Sequence, residues 1–202
     1  MNTFRHVEAL RGLFLFLRGL MVLKVDVMDD FYKLLHPCMT ILVVSISRDG
    51  KPNVMTCAWN MPVSEDPPLI AVALGEESYT GQLIRESGEF TVNIPDERLL
   101  RAIWLCGTRS GRRADKFKLA GLTPAPAKKV KPPIISECAA HLECKLRDQV
   151  EAGECVVFIG EVLEAYCSKE VFEKGVWNVE KIGLPLHLGG RLFAVPTRVI
   201  KP

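Results

Sequence analysis

What most limits the fold of this chain is a succession of apolar, β-branched runs set off by glycine and proline. TILVVSIS (40–47), PNVMTCAWN (52–60), PLIAVALG (68–75) and GEFTVNIP (88–95) have strand composition. So do AAHLECKLRDQV (139–150), CVVFIGEVLEAYC (155–167) and LGGRLFAV (188–195). The nearly unbroken apolar run at 68–75 predicts burial on both faces, and Gly160 predicts a bulge or a close backbone approach. Two short helix signals interrupt the strands. Ser78 is placed to cap YTGQLIRES, which Gly88 ends; Asp96 is placed to cap ERLLRAIWLC, with Leu99, Leu100, Ile103 and Trp104 on its inner side. The prolines of TPAPAKKVKPP (123–133) remove donors and fix φ, which excludes regular structure there. Without a strand–helix–strand rhythm, the pattern requires an antiparallel barrel or sandwich with helical decoration.

Charge narrows the partners. A net charge of +2, with no basic helix carrying interleaved aromatics, argues against nucleic acid. Seven cysteines without a CxxC spacing indicate neither a zinc ribbon nor a secreted disulfide framework, and a reducing, cytoplasmic setting is expected. In the first twenty residues Phe4, Val7, Leu10, Phe14 and Leu17 recur at helical spacing, but LFLFL is too short to span a bilayer. That stretch reads as an added amphipathic helix, a membrane-surface anchor or an upstream start codon. The expected organisation is an N-terminal extension over 1–24 and one domain over 25–202.

The residues that bear on chemistry cluster in two places. CGTRSGRRADKF (106–117) combines the hydroxyls of Thr108 and Ser110, the glycines Gly107 and Gly111, and the cations Arg109, Arg112, Arg113 and Lys116. That is the composition of an anion nest fit for a phosphate, although a solvated basic loop has the same composition. NVMTCAWN (53–60) offers Thr56, Asn60 and the Trp59 ring, suited to the edge and face of a flat heterocycle or to capping a barrel end. Cys138-x-x-His141-x-x-Cys144 has a metal-like look. On a strand, however, the two cysteines share a face about 20 Å apart while His141 points away, which rejects a metal site. His36 and Cys38, flanking Pro37, read as structural, and no catalytic constellation emerges from spacing.

Taken in order, several stretches resemble the flavin reductase-like family of FMN-binding split barrels, and within it the flavoredoxin-type members. They are NVMTCAW (53–59), PVSEDPPLIAVAL (62–74), SYTGQLIRESGEFTVNIP (78–95), CGTRSGRRADKFKLAGLTP (106–124), ECAAHLECKL (137–146), FIGEV (158–162) and LGGRLFA (188–194). The resemblance implies a mainly β fold: a six-stranded antiparallel Greek-key split barrel with short peripheral helices, forming a homodimer with one FMN per subunit. It places Thr56, Cys57, Ala58, Trp59 and Asn60 along the isoalloxazine and ribityl chain. Ser78, Tyr79 and Thr80 fall at the ribityl-phosphate end, and Gly107, Ser110, Gly111 and Lys116 at the phosphate. Two departures stand out. Relatives often carry Arg at the position of Ser78, which shifts phosphate neutralisation onto the 106–117 loop. Many carry His at the position of Cys155, which puts reduction by NAD(P)H in question and leaves FMN binding untouched.

The implied function is an oxidoreductase passing electrons from NAD(P)H or a reduced carrier such as ferredoxin through FMN to an acceptor. A flavin, rather than a side chain, would do the redox chemistry. The alternatives are a non-catalytic flavin store or sensor on the same barrel and, from fold alone, a site for pyridoxal phosphate or a haem-type ligand.

Overall fold

The computed structural model describes residues 15–17, 20–22 and 24–202, and it divides into two compact units at His36/Pro37. In the first unit, Leu15–Leu17 pairs antiparallel with Leu20–Val22, and Met28–Leu35 is 3-10 helical. The expected N-terminal helix lies outside the described residues, except that Leu17 is in a strand.

The second unit is built on a seven-stranded antiparallel sheet. Its strands are β1 (Ile41–Ile46), β2 (Pro52–Cys57), β3 (Asn60–Ser64), β4 (Leu69–Gly75), β5 (Glu89–Ile94), β6 (Ala140–Ala152) and β7 (Cys155–Cys167). They lie in the order β2–β1–β5–β6–β7–β4–β3, and the neighbours β1–β5 and β7–β4 are the Greek-key crossovers. Six of them have six residues or more, and β3 is the short one.

Closure follows from connectivity. The two edge strands, β2 and β3, are separated in the chain only by Ala58 and Trp59. In a flat sheet six inter-strand spacings would hold those edges roughly 29 Å apart. Three Cα steps reach only about 11 Å. The sheet must therefore curl until its edges meet. Trp59 takes part in the seam, its carbonyl accepting the Ala73 amide at 2.8 Å.

Two apolar clusters fill the unit. The barrel interior holds Ile41, Val43, Val72, Phe90, Val92, Cys144 and Phe158. The second cluster lies on the opposite face of β1 and β2, where Leu42, Val44 and Val54 meet Ala102, Ile103 and Cys106 of helix α2 (Leu100–Thr108) and Phe117 of α3 (Lys116–Ala120). Two-sided burial thus belongs to β1, whose first five residues are all buried. It does not belong to β4, where Leu69, Ile70 and Ala73 are half-buried and Gly75 is exposed. Gly160 meets its expectation: a Cβ there would run into the Phe90 ring.

The helix caps follow the sequence. Ser78 Oγ accepts the Gly81 amide at 3.0 Å at the start of α1 (Tyr79–Ser87), and left-handed Gly88 ends it. Asp96 Oδ1 accepts the Arg98 amide at 2.9 Å ahead of a 3-10 turn, Glu97–Leu99, that leads into α2. Three expectations need correction. The second helix runs on to Thr108, and its wholly buried residues are Ala102, Ile103 and Cys106, with Leu99, Leu100 and Trp104 half-buried. The proline-rich connector does contain a strand pair, Pro124–Ala125 with Ile134–Ile135. The final strand is a hairpin, Leu186–Gly189 with Leu192–Ala194, because Gly189 and Gly190 take positive φ and turn the chain.

The connector is held by a buried carboxylate. Glu143, wholly inaccessible, accepts the amides of Lys128 at 2.8 Å and Lys129 at 2.5 Å and the Tyr166 hydroxyl at 2.9 Å. Burial acts to raise its pKa, but those donors prevail and hold it below the ordinary carboxylate range. His141 is also buried and is hydrogen-bonded to Asn93 Oδ1 at 2.8 Å. Cys138 precedes β6 and belongs to the outer cluster while Cys144 belongs to the barrel interior, so the two do not share a face.

Candidate functional site

Two adjoining cavities open where β2, α1 and α2 converge. The first, of about 290 Å3, is lined by Glu77, Ser78, Tyr79 and Thr80 at the start of α1 and by residues 106–112 and Lys116. The start of a helix leaves backbone amides without intrahelical partners and concentrates positive dipole there. Ser110 carries a turn, its carbonyl accepting the Arg113 amide at 3.1 Å and its hydroxyl oxygen the Arg112 amide at 3.3 Å. That leaves the Ser110 hydroxyl proton available to a ligand.

Lys116 supplies the decisive charge. It is only 6% exposed, and its ammonium donates to the Cys106 carbonyl at 2.9 Å. Burial lowers its pKa, which the neighbouring Cys106 only partly offsets. Burial likewise pushes the Cys106 thiol up to about 11, with the Lys116 charge pulling the other way. A buried ammonium with one carbonyl partner gains most from an anion placed in the cavity it lines.

Two glycines let the loop backbone pack closely on β2 beside this cavity. A Cβ on Gly111 would overlap Asn53 Oδ1, and one on Gly107 would press on the Thr56 side chain at 3.3 Å. Asn53 cannot easily yield, because its Nδ2 donates to Thr80 Oγ1 at 2.8 Å and so ties β2 to the start of α1. Among the loop cations, Arg109, Arg112 and Lys116 line this cavity, and Arg113 does not.

The second cavity, about 210 Å3, shares Gly107 and Thr108 with the first. Thr40, Thr56, Ala58, Ile103, Trp104, His187, Gly190 and Phe193 complete its walls. Thr56 Oγ1 donates to the Ile103 carbonyl at 2.5 Å, which fixes the threonine methyl and hydroxyl against α2. Thr40 Oγ1 is buried without a hydrogen-bond partner among the described residues, so a polar ligand edge has an unused group here.

The structure thus gathers nine of the expected residues on these two cavities: Thr56, Ala58, Ser78, Tyr79, Thr80, Gly107, Ser110, Gly111 and Lys116. Cys57, Trp59 and Asn60 line neither. Strand alternation turns Cys57 into the barrel, where its thiol donates toward the Trp59 carbonyl at 3.3 Å and burial raises it to about 12. The Trp59 side chain is 43% exposed, and Asn60 Nδ2 is engaged by the Met39 carbonyl at 2.9 Å. Sequence reasoning missed Thr40, His187, Gly190 and Phe193. They come from segments distant in sequence, and only the pairing of Cys38–Met39 with Leu186–His187 brings them together.

Comparison with known proteins decides the family. The profile of the flavin reductase like domain matches residues 35–187. The chain belongs to the flavin reductase-like family. A protein of Archaeoglobus fulgidus is 46% identical over 129 residues, 64% of this chain and 72% of its own. The flavoredoxin of Desulfovibrio vulgaris (Miyazaki F) superimposes with a TM-score of 0.76 at 31% identity, over 83% of this chain and 91% of that one. A flavin reductase (NADH) of Kitasatospora aureofaciens is 30% identical over 134 residues, 63% of this chain and 64% of its own. In this flavin reductase-like chain, the seam-closed sheet is the family's split barrel, and both cavities lie on it. Among the described residues no helix is long and apolar enough to cross a membrane, and no group of His, Cys, Asp and Glu could hold a metal ion.

Proposed function

We propose that this chain is an FMN-dependent oxidoreductase, taking electrons from NAD(P)H or a reduced carrier such as ferredoxin and delivering them to an acceptor. The observation that carries the reading is buried Lys116 on a phosphate-sized cavity that also receives the start of α1. The residues fit the cofactor at both ends. In this reading Lys116, Arg112, the Ser110 hydroxyl and the α1 amides hold the phosphate. Thr56, Ala58 and Trp104 form the wall for the ring, and Thr40 offers its edge a hydrogen bond. FMN, when bound, supplies the redox chemistry by accepting and returning electrons.

The protein's share is orientation and electrostatics. No lining side chain is required as a general acid or base, and the absence of His at Cys155 bears on the donor rather than on the cofactor. All seven cysteines are free thiols, which favours the cytoplasm. Met61 and Val63 are exposed on β3, at the edge of the sheet, with half-exposed Trp59 beside them. A second copy covering that strip accounts for their exposure, and a homodimer is part of the proposal.

The test is an anaerobic titration of the yellow protein with NADH, NADPH and reduced ferredoxin, watching the flavin absorbance. Bleaching by one of them identifies the donor class. Failure of all three to bleach a retained flavin would make the chain a flavin store or sensor instead.

A further inference from the structure

Charge is unevenly placed along this chain. Residues 98–118 hold seven cations and one carboxylate, Asp115, and residues 182–202 hold three cations and no carboxylate. The rest of the chain is left with 16 cations and 23 carboxylates. The two basic segments meet at the second cavity. Helix α2 supplies Ile103, Trp104 and Thr108 to its wall, and the C-terminal hairpin with its turn supplies His187, Gly190 and Phe193. Three exposed arginines adjoin those walls. Arg191 follows Gly190, and its guanidinium lies over the Trp104 ring, 4.9 Å from the centroid. Arg101 stands three residues before Trp104 on α2, hence on the same side of the helix, and Arg109 follows Thr108. Among the described residues the arginines with a carboxylate in ion-pair range are Arg48, Arg98 and Arg147, and none of the three around the cavity. Leu188 and Leu192 are exposed on the same hairpin as Arg191.

A small anion needs an enclosed seat, whereas Arg101 and Arg191 lie on open surface. Nucleic acid would use the charges and leave the leucines wet. Arginines, a half-buried tryptophan and exposed leucines together have the make-up of a protein–protein contact. Cations without carboxylates on one face, in a molecule otherwise carrying excess negative charge, draw in an acidic partner there and repel it elsewhere. We propose that this face docks an acidic electron-carrier protein and so brings its redox centre up to the second cavity. The inference rests on the placement of the FMN ring in that cavity proposed above. Full reduction of the flavin takes two electrons and two protons. Two successive encounters with a one-electron carrier supply the electrons, each carrier leaving oxidised by one, and water supplies the protons.

The test is calorimetric titration of the purified flavoprotein with an acidic [2Fe–2S] ferredoxin at low and at high salt. Wild type is expected to bind it, with an affinity that falls about tenfold or more at high salt. Arg101→Glu/Arg191→Glu should weaken binding about tenfold or more at low salt and slow flavin bleaching by the reduced ferredoxin by a similar factor. FMN retention shows that this variant is folded. Lys145→Glu/Arg147→Glu makes the same change of charge on exposed positions of β6 and should leave binding within about twofold of wild type. Retained FMN without ferredoxin binding by wild type overturns the inference and leaves the flavin reading standing. Equal weakening by both double variants also overturns it, since net charge alone would then be responsible. Binding of double-stranded DNA in place of ferredoxin would assign the face to a polyanion. A smaller sedimenting species for Arg101→Glu/Arg191→Glu would assign it to a second copy of the chain. Either result overturns the docking assignment. A protein that retains no FMN would overturn the flavin reading and this inference with it.

Discussion

At Gly111 the site leaves no room for even a methyl group. The Asn53 amide that a Cβ would strike is held by Thr80, so Gly111→Ala must displace either the loop or the start of α1. Overpacking of this kind costs about 1–3 kcal/mol. Dialysis should show FMN loss from Gly111→Ala with a lowered melting temperature. Lys116→Ala with Arg112→Ala removes charge-assisted bonds worth about 1.5–3 kcal/mol each, so FMN should wash out of that variant. Unaltered FMN occupancy would remove the phosphate from this cavity. The aromatics divide differently from what the sequence suggests. Trp104 lines a cavity and Trp59 does not, so Trp104→Leu is expected to brighten flavin emission and Trp59→Leu to leave it alone.

Among the elements, those with strong local signals were legible in the chain. Ser78, Gly88 and Asp96 announce helix ends by their own chemistry, and Ser78→Ala should cost about 1 kcal/mol in denaturant midpoint measurements. Elements whose ends depend on tertiary partners were not. Helix α2 gains Gly107 and Thr108, the latter with its hydroxyl on the Trp104 carbonyl at 2.8 Å, because β2 packs beside it. The proline-rich connector is ordered by Glu143, a residue of a different strand, which no local pattern could reveal. Half the site was readable as well: the glycine-, hydroxyl- and cation-bearing loop declares itself, whereas Thr40 and Phe193 are joined to it only by strand pairing. Glu143 also makes a pH prediction. Its carboxyl titrates below the ordinary value in the folded chain, so its stabilisation is complete above the unfolded value. That stabilisation is lost as pH falls through the folded one. Acid titration of Glu143→Gln should therefore show a shallower loss of stability than wild type below about pH 4.5, the unfolded carboxylate range.

On the scale of the whole molecule, the barrel, its seam and the site are one structure. Thr56 is the penultimate residue of β2, and Ala58 lies within the link that joins the sheet's two edges, so the cavity proposed for the ring is walled by the joint that closes the barrel. A ligand on that wall opposes opening of the seam. Free FMN at a hundredfold excess over its Kd should stabilise the protein by about 2.7 kcal/mol, readable as a rise in melting temperature. An insertion between Ala58 and Trp59 should abolish both folding and flavin retention, whereas one at the Asp49–Gly50 hairpin tip should spare them. The shared joint has a consequence for turnover. With FMN seated on that wall, a flavin-starved cell should hold more of the gaping, empty barrel, and proteases should clear that form sooner than the loaded one.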